Sequence, residues 1–452
     1  MATLSSVGSM PGLKDSSLPF PQHAPPHFNA KFHQHRRAHL AHMMPPNSAA
    51  IIIGGLWQTR NGDNLHPYRP GNNLFYFSGF EEEESIGIIK KSATGEHTFM
   101  LIVPPKDPTK EVWSGSRAGI EGAKKEFFAD EAEETTNLEC TLGKVKESVK
   151  QIFLIPSDVN NDLNEKVSKI IVNTINWGSV VSQMRLVKTE EEIAIIGRAI
   201  EITAEGYKKI MRCWVPGTNE GELQAIHECE IRKLGAVRLA FPTIVAAGKS
   251  ATTLHYLRNS ASINSNDLIL VDSGAEYGNY SSDITRTWPN SGRFSKEQRE
   301  LYDIVYQAQQ AVFQILQPGV CLNDLQAESE RVIERGLRDL GLLSMNSTRE
   351  ELKLYYPHGI GHHIGLDVHD AHDGAIVYQD LKQQGFRPNM VITVEPGVYI
   401  PENANVDDMW KNIGIRIEDD VLITREGYIN LSEIIPSHPD EIEKLLSSVD
   451  YI

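Results

Sequence analysis

Cysteine is scarce in this sequence. The chain has 452 residues and 4 cysteines, and none of the four lies in a CxxC pair. Small secreted proteins depend on dense disulfides, and structural zinc sites depend on closely spaced cysteine pairs. The spacing argues against both classes and predicts reduced thiols, as in a cytosolic protein.

Long apolar runs are absent as well. The longest lies near Ala49–Trp57, far short of the roughly 20 residues that span a bilayer, so we expect no transmembrane segment and no membrane partner. The N-terminus has no charged stretch followed by an apolar core, which argues against a secretory signal. Its first thirty residues contain one acid, Asp15, and no arginine. We therefore expect a cytoplasmic protein, with a mitochondrial location as the open alternative.

Positive charge is the minority charge. Lys and Arg number 44 against 60 Asp and Glu, which gives a formal charge of -16 at pH 7. Proteins that bind nucleic acid need Lys and Arg to neutralise the phosphate backbone. The balance therefore predicts no nucleic-acid partner, and it suits cation sites.

The length and composition predict a globular chain with two domains. Residues 1–28 are rich in Pro and Ser, and we predict a poorly ordered lead there. Residues 29–180 alternate short strands and helices, starting with a surface helix over Ala30–Met43, and predict a small α/β domain. Residues 181–452 begin with a long amphipathic helix and then mix helices with strands. The expected fold class is therefore α/β (α+β).

One stretch, YYPHGIGHHIGLDVHD (Tyr355–Asp370), is crowded with histidine and glycine. Its histidines are His358, His362, His363 and His369. Glycine lets backbone come close to a site, and imidazole binds metals and moves protons. This pattern needs carboxylate partners elsewhere in the chain.

Four acids in apolar strand-like text are the candidate partners. Asp272 ends an apolar run and Asp283 lies eleven residues later, with glycines between them, so we predict a hairpin that places both acids side by side. Glu395 lies within VITVEPGVYI and Glu418 within IGIRIEDDVLIT, where a buried glutamate is costly without a cation or donor. Taken singly, each acid could be a turn cap or a salt-bridged core residue.

Taken together, the four acids favour metal binding. Unneutralised, they would repel one another strongly in a low dielectric, and two divalent cations would compensate their charge. Oxygen ligands with one imidazole suit Mn, Co, Fe or Zn, and bridging carboxylates hold paired metals about 3.5–4 Å apart in aminopeptidases. We therefore expect one histidine of HGIGHH to be the nitrogen ligand.

The sequence resembles a known superfamily, the pita-bread metallopeptidases, which includes methionine aminopeptidase, prolidase, aminopeptidase P and creatinase. The metal ligands of that superfamily match, in order and spacing, Asp272, Asp283, His362, Glu395 and Glu418. Further stretches resemble the aminopeptidase P family in particular: HPYRPGNNLFYFSGFEEEES and VWSGSRAG in the N-terminal part, and MRLVKTEEEI, TLHYLRN, DSGAEYGNYSSDITRTWP, HGIGHHIGLDVHD, TVEPGVYI and GIRIEDD in the C-terminal part. The resemblance covers roughly residues 30–445 and implies a small N-terminal domain followed by a catalytic pita-bread domain.

The resemblance implies a role for each of the five ligands. Asp272 would bind one metal ion only, whereas Asp283 and Glu418 would bridge two ions. His362 and Glu395 would bind the second ion. Glu395 would also be the general base that takes a proton from a water between the ions. The implied cofactor is a pair of divalent ions, Mn²⁺ first, with Co²⁺, Zn²⁺ or Fe²⁺ as alternatives.

Five further residues match supporting positions of the family. His255, His358 and His369 would contact substrate and steady the tetrahedral intermediate, and Tyr399 and Arg416 would support them. His363, in contrast, falls where the family tolerates bulky residues, and we predict that it packs.

The implied function is release of the N-terminal residue from peptides with proline at the second position. Two alternatives stay open: a prolidase, which cleaves only Xaa-Pro dipeptides, and a non-catalytic pita-bread binding module. The resemblance also implies a homodimer or homotetramer. Trp113, a large aromatic in a Gly/Ser loop, is a candidate interface residue, with packing inside its own domain as the alternative.

Overall fold

The computed structural model describes residues 30–157, 161–212, 218–371 and 382–447. The predicted lead over residues 1–28 lies outside the described residues, as does His372, which the sequence places at the surface. The described residues divide into two compact units, and the boundary along the chain lies between Ser182 and Gln183. Helix α7 (Gly178–Leu186) runs across that point.

The N-terminal unit is built on one mixed sheet of six strands. Its helices are α1 (Ala30–Met43), α2 (Asn72–Ser78), α3 (Pro108–Ser114), α4 (Gly119–Lys125), α5 (Leu138–Ser148) and α6 (Asn161–Ile170). Its strands are β1 (Ser48–Ile53), β2 (Thr59–Asn61), β3 (Asn64–Leu65), β4 (Ile86–Lys91), β5 (His97–Val103), β6 (Glu131–Glu134), β7 (Gln151–Ile155) and β8 (Ile175–Asn176). The sheet order is β6-β5-β4-β1-β7-β8, and β2 and β3 form a separate hairpin.

The core of this unit lies between the sheet and helices α5 and α6. Alternate residues of β1, among them Ile51 and Ile53, pack with Leu142 of α5 and Val167 of α6. Side chains of a strand alternate between the two faces of its sheet, so the β-branched run can cover both faces at once. The predicted alternation of short strands and helices in this part of the chain is confirmed.

Helix α1 corrects one expectation. It has the predicted bounds, but it is not a plain surface helix because His33, Arg36 and Arg37 are 5%, 5% and 3% exposed. The Arg36 guanidinium lies over the ring of Tyr76, 3.8 Å from its centroid, and Arg37 donates to the carbonyl of Phe77. Burial of these polar groups is tolerated because each finds a partner on or beside α2.

The C-terminal unit carries the histidine-rich stretch and the four acids. Its helices are α8 (Glu190–Arg212), α9 (Glu220–Lys233), α10 (Lys296–Ile315), α11 (Leu322–Asp339), α12 (Arg349–Leu352) and α13 (Pro439–Ser447). Its strands are β9 (Arg238–Leu239), β10 (Ile244–Ala247), β11 (Leu268–Ser273), β12 (Ala275–Tyr277), β13 (Tyr280–Ser281), β14 (Ile284–Pro289), β15 (Val391–Val394), β16 (Gly397–Ile400), β17 (Ile413–Arg416), β18 (Asp419–Ile423) and β19 (Tyr428–Asn430).

These strands form several small sheets. The orders are β10-β11-β14, β13-β12-β9, β15-β18-β19 and β16-β17. The main apolar cluster packs Val312 of α10 and Leu325 of α11 against Ile392 and Val421 of the β15–β18 pair. Helix α8 starts with a capping interaction, since the backbone N–H of Thr189 donates to Glu192 at 2.8 Å.

Two composition-based expectations concern thiols and membranes. The described cysteines Cys140, Cys229 and Cys321 are free, in line with the predicted reduced thiols, and Cys213 lies outside the described residues. Among the helices of the described ranges, none is long and apolar enough to cross a membrane.

Candidate metal centre

The predicted hairpin brings the two aspartates together. Strands β11 and β14 pair antiparallel, with Asp272 opposite Thr285, and Asp283 directly precedes β14. The turn lies at Gly278 and Asn279, which both have positive φ (56° and 66°), as a tight hairpin turn requires. Asp272 and Asp283 therefore lie at one end of the strand pair, 8% and 5% exposed.

The sequence suggested that the two glutamates lie within strands, but the structure places both of them between strands. Glu395 lies between β15 and β16, and Glu418 lies between β17 and β18. The backbone N–H of Glu395 donates to the carbonyl of Ile360, and that of Glu418 donates to the carbonyl of Thr285. Each glutamate thus interrupts an apolar run at a break held by bonds to another part of the chain, which aims its carboxylate toward the aspartates.

The histidine-rich stretch supplies the imidazole. Nδ1 of His362 lies 3.1 Å from the carbonyl of His363 and can donate to it, which leaves the lone pair on Nε2 free for another partner. That Nε2 lies 3.4 Å from Oδ2 of Asp283 and 3.6 Å from Oε1 of Glu395. A Cβ on Gly361 would lie 2.1 Å from the carbonyl of Thr393, so the close approach of this stretch to β15 requires glycine there.

The structure therefore brings all five predicted ligands together, and the cluster fits a cation. Ligand atoms of Asp283, His362 and Glu418 lie within 4.8 Å of one another. Oδ1 of Asp272 and Oδ1 of Asp283 are buried and have no hydrogen-bond partner among the described residues. A buried anionic oxygen without a partner is costly, and a divalent cation satisfies it.

The electrostatics of these acids points the same way. Burial, followed by repulsion from Glu418 and Asp272, raises the pKa of Asp283 well above its usual range. Burial, with Glu395 and Asp272 nearby, likewise raises the pKa of Glu418. Burial raises the pKa of Glu395 to about 8, although Arg416 opposes the shift. These carboxylates cannot all ionise together without added positive charge.

A hydrogen-bonded chain runs from this cluster to His358. Nη2 of Arg416 donates to Asp272 at 2.7 Å, and Nη1 donates to the Tyr399 hydroxyl at 2.8 Å. That hydroxyl lies 2.8 Å from Nε2 of His358, whose Nδ1 lies 2.8 Å from the carbonyl of Gly359. The carbonyl accepts from Nδ1, so Nε2 accepts from Tyr399. Burial, then Arg416, lowers the pKa of His358 to about 3, which keeps the ring neutral.

The other two predicted histidines lie at the edge of the cluster. The ring of His369 is exposed and contacts that of His362, with centroids 4.2 Å apart and planes at 60°. His255 is exposed as well, and its charge contributes to lowering the pKa of His358. His363 is 5% exposed and packs near Phe386, as predicted.

Sequence reasoning missed the residues that orient the ligands. The Thr285 hydroxyl donates to Oε2 of Glu418 at 2.7 Å and accepts from Nε of Arg416 at 3.2 Å. The backbone N–H of Asp283 donates to Asp420 at 2.9 Å. Arg286, fully buried, bonds Asp419 and the carbonyl of Glu418. The signal was present: three acids in a row, from Glu418 to Asp420, inside an apolar run need buried partners.

A buried cluster of carboxylates around one imidazole, with two unsatisfied oxygens, defines the class of metal-dependent enzymes that bind divalent ions mainly through oxygen ligands. Comparison with known proteins narrows this class. Residues 194–425 match the family model Metallopeptidase family M24, and residues 33–153 match the model Aminopeptidase P, N-terminal domain. The chain therefore belongs to metallopeptidase family M24.

Similar proteins cover nearly all of the chain. It is 34% identical over 421 residues to the Xaa-Pro aminopeptidase of Haemophilus influenzae, which is 92% of this chain and 96% of that protein. It is also 34% identical over 430 residues to the Xaa-Pro aminopeptidase of Escherichia coli, at 91% and 97% coverage. The structure of E. coli aminopeptidase P with the inhibitor Pro-Leu matches with a TM-score of 0.87 and 33% identity, covering 93% of this chain and 99% of that one.

A second solved structure, zinc-substituted E. coli aminopeptidase P in complex with product, matches with a TM-score of 0.88 and 33% identity, at 94% and 99% coverage. The predicted fold is thereby confirmed: an N-terminal domain of the aminopeptidase P type precedes a pita-bread domain. The predicted metallopeptidase class is confirmed as well.

Proposed function

We propose that this protein is an aminopeptidase that releases the N-terminal residue from peptides whose second residue is proline. The observation that carries the proposal is the convergence of Asp272, Asp283, His362, Glu395 and Glu418 in one buried cluster with unsatisfied oxygens. The likeness to two bacterial Xaa-Pro aminopeptidases supports the choice of substrate.

The cofactor that we propose is a pair of divalent ions, Mn²⁺ first, with Co²⁺, Zn²⁺ or Fe²⁺ as alternatives. Asp272 would hold one ion, His362 and Glu395 the other, and Asp283 and Glu418 both. Bound there, divalent ions supply Lewis acidity, which makes water a nucleophile at neutral pH and polarises a carbonyl. The four carboxylates among these side chains would in turn supply the negative charge that balances the ions.

Glu395 is the proposed general base. Its carboxylate lies near both His362 and His358, at 3.6 and 3.7 Å, and a cation close by would lower its pKa, which burial raises to about 8. It would take a proton from the attacking water and pass it toward the departing nitrogen. That nitrogen belongs to a proline, so it has no N–H, and it must gain a proton to leave.

The histidines surround the position of the reacting carbonyl in this proposal. His255, His358 and His369 would contact the substrate, and the two exposed rings, His255 and His369, would stabilise the developing negative charge on its oxygen. The chain from Arg416 through Tyr399 fixes the ring of His358 and its tautomer. The same chain keeps Arg416 on Asp272, so one guanidinium orients a ligand and a substrate-contacting histidine.

Two alternatives are tested by the same assays. A prolidase would use the same centre but reject substrates longer than a dipeptide. A non-catalytic binding module would not need all five proposed ligands in one cluster. Their presence together favours an enzyme.

A homodimer or homotetramer is proposed as the assembly. In the N-terminal unit, the indole of Trp113 is 90% exposed and neighbouring Val112 is 82% exposed. Exposed aromatic side chains are enriched at interfaces, which supports Trp113 as a contact residue. Light scattering at micromolar concentration tests the assembly, and a monomer would contradict it.

The cytoplasm is the proposed location. The alternative is a mitochondrial location, since one relative, from Arabidopsis thaliana, bears the name Intermediate cleaving peptidase 55, mitochondrial. Fractionation of cells that express the tagged full chain tests the location, since recovery with mitochondria would contradict it.

The test of the proposed function combines metal analysis with peptide cleavage. Purified protein should contain a divalent metal and should release the first residue of Xaa-Pro peptides. Prolonged chelation should abolish the release, and Mn²⁺ or Co²⁺ should restore it. Full activity in protein verified as metal-free would overturn the proposal.

A further inference from the structure

His255 lies on a segment with little regular structure of its own. Residues 247–261, the His255 loop, follow β10 and contain a short 3-10 helix over Gly248–Thr252. Leu254 and Tyr256 pack against an apolar cluster that contains Tyr399, whereas His255 between them is exposed. Leu254 and His255 lie in a turn, and His255 is the exposed residue between two partly buried neighbours.

A single carboxylate fastens this loop at both ends and in the middle. Glu220, the first residue of α9, is fully buried. Its Oε1 accepts from the backbone N–H of Ala247 at 2.9 Å, and its Oε2 accepts from that of Ala261 at 2.7 Å. The Tyr256 hydroxyl also donates to Oε2, at 2.8 Å. Three donors directed at one buried carboxylate compensate its lost hydration.

A second polar contact holds the loop near its C-terminal end. Asn259 is 6% exposed and has positive φ, 43°. Its Oδ1 accepts from the backbone N–H of Val245, and its Nδ2 donates to the carbonyl of Thr243 and to Gln224. Helix α9 therefore grips the loop through two of its residues, Glu220 and Gln224. These contacts hold the backbone of the loop on both sides of His255.

We propose that Glu220 and Tyr256 are positioning residues that hold His255 at the substrate. The inference rests on the proposed function, in which His255 contacts the substrate. Neither positioning residue belongs to the metal cluster, and both act through the backbone of the His255 loop. Tyr256 is the sharper probe because its hydroxyl makes one bond beside His255, whereas Glu220 supports the whole loop.

The test compares two tyrosine hydroxyls. Tyr256→Phe should lower kcat on a Xaa-Pro peptide about three- to tenfold, the effect of one lost hydrogen bond, with KM and metal content unchanged. Tyr302→Phe is the matched control: that hydroxyl is buried and donates to the carbonyl of Ser437 at 2.8 Å, and its loss should leave kcat unchanged. A fall in kcat for both variants would overturn the proposal.

A double-mutant cycle separates positioning from general support of the fold. If Tyr256 acts through His255, Tyr256→Phe should change kcat less than about twofold in a His255→Ala background. Additive losses, or wild-type kcat in Tyr256→Phe, would overturn the proposal. Failure of the wild-type enzyme to cleave Xaa-Pro peptides would instead overturn the proposed function.

Hydrogen exchange tests the anchor without any activity. Glu220→Gln removes one of the two accepting oxygens, so the amide proton of Ala247 or Ala261 should exchange about tenfold faster or more than in the wild type. The metal content should stay unchanged. Unchanged exchange at both amides in a folded Glu220→Gln protein would show that the carboxylate does not hold the loop.

Discussion

Nε2 of His362 lies 3.4 Å from Oδ2 of Asp283, longer than a good hydrogen bond, although the two residues are 79 positions apart in the chain. Burial lowers the pKa of His362 to about 3, so its ring is neutral and its Nε2 lone pair is available. Burial and neighbouring acids raise the pKa of Asp283. A lone pair that faces a carboxyl group with a raised pKa is the arrangement expected of two ligands of one cation.

The first prediction concerns the pH dependence of stability in chelated protein. The folded-state pKa values of Asp283, Glu395 and Glu418 are raised, that of Glu395 to about 8. The unfolded chain ionises these groups near pH 4 to 4.5, so the free energy of unfolding should fall as the pH rises from about 4.5 to about 8. Added Mn²⁺ should therefore raise Tm more at pH 8 than at pH 5.

Calorimetry with and without Mn²⁺ at both pH values measures this difference. Titration of Mn²⁺ in buffers of different ionisation enthalpy should also reveal protons released on binding. An equal gain in Tm at pH 5 and pH 8, without proton release, would contradict the prediction.

The second prediction concerns Glu395→Gln. The variant keeps the shape of the side chain but removes the proposed base, so turnover should fall about 10²- to 10⁴-fold, with a smaller effect on substrate binding. Because Glu395 is also a proposed ligand, the metal content must be measured on the same sample. Wild-type turnover at full metal content would place the base on another residue.

The third prediction concerns the two exposed histidines. His255→Ala and His369→Ala should each lower turnover about 10²-fold, as loss of one oxyanion donor does, while the metal content stays near that of the wild type. His438→Ala is a matched control because that histidine lies outside the metal cluster, with its side chain 41% exposed and 3.9 Å from Asp440. Loss of metal in either variant would instead make that histidine a ligand.

The fourth prediction concerns the fastening of the histidine-rich stretch. Asp370 is 4% exposed, and it accepts from Arg185 at 2.6 Å and from Lys188 at 2.9 Å. Asp370→Asn leaves these buried cations poorly compensated, so it should lower the free energy of unfolding by about 3–5 kcal/mol. Asp408→Asn, which removes an exposed ion pair with Lys411, should leave the free energy of unfolding nearly unchanged.

The pH dependence of this contribution has a definite sign. Arg185 and Lys188 hold the pKa of Asp370 below its usual range, although burial opposes them. The stabilisation is therefore fully present above about pH 4 and is lost as the pH falls further. Urea unfolding of the wild type and Asp370→Asn at pH 7 and pH 3 measures it. A difference in free energy that stays constant between the two pH values would contradict this account.

Sequence reasoning went furthest where chemistry repeats along the chain. The acid-rich strand text identifies the four acids of the cluster, because a buried acid needs a cation or hydrogen-bond donors, and the family resemblance selects His362 from the His/Gly stretch. The hairpin from Asp272 to Asp283 follows from local turn residues. These features depend on short stretches of chain.

The contacts that the sequence did not predict are long-range. The hydrogen bond from Thr285 to Glu418 joins residues 133 positions apart. Glu220, at the start of helix α9, accepts hydrogen bonds from the His255 loop. The sequence around Glu395 and Glu418 resembles that of continuous strands, since β-branched residues flank both glutamates. A local sequence pattern does not show which distant backbone group will bond to the chain at such a break, so these contacts cannot be predicted from short stretches.

The last prediction separates an aminopeptidase from a prolidase. The enzyme should release the first residue from Xaa-Pro-Yaa-Zaa peptides and should tolerate chain beyond the proline. Replacing that proline by alanine should lower kcat/KM about tenfold or more, because the ring contacts and the geometry that the ring imposes vanish together. Tyr399 is a candidate for one wall of the proline pocket, since its ring lies 5.4 Å from that of His358, centroid to centroid.

Xaa-Pro, Xaa-Pro-Yaa-Zaa and Xaa-Ala-Yaa-Zaa should be assayed with one batch of Mn²⁺-loaded enzyme. Cleavage confined to the dipeptide would make the protein a prolidase, and equal cleavage of the alanine peptide would remove proline specificity from the proposal. A dipeptidase must also clamp the free carboxylate of the second residue, so amidation of the dipeptide would abolish its cleavage by a prolidase but not by the aminopeptidase proposed here.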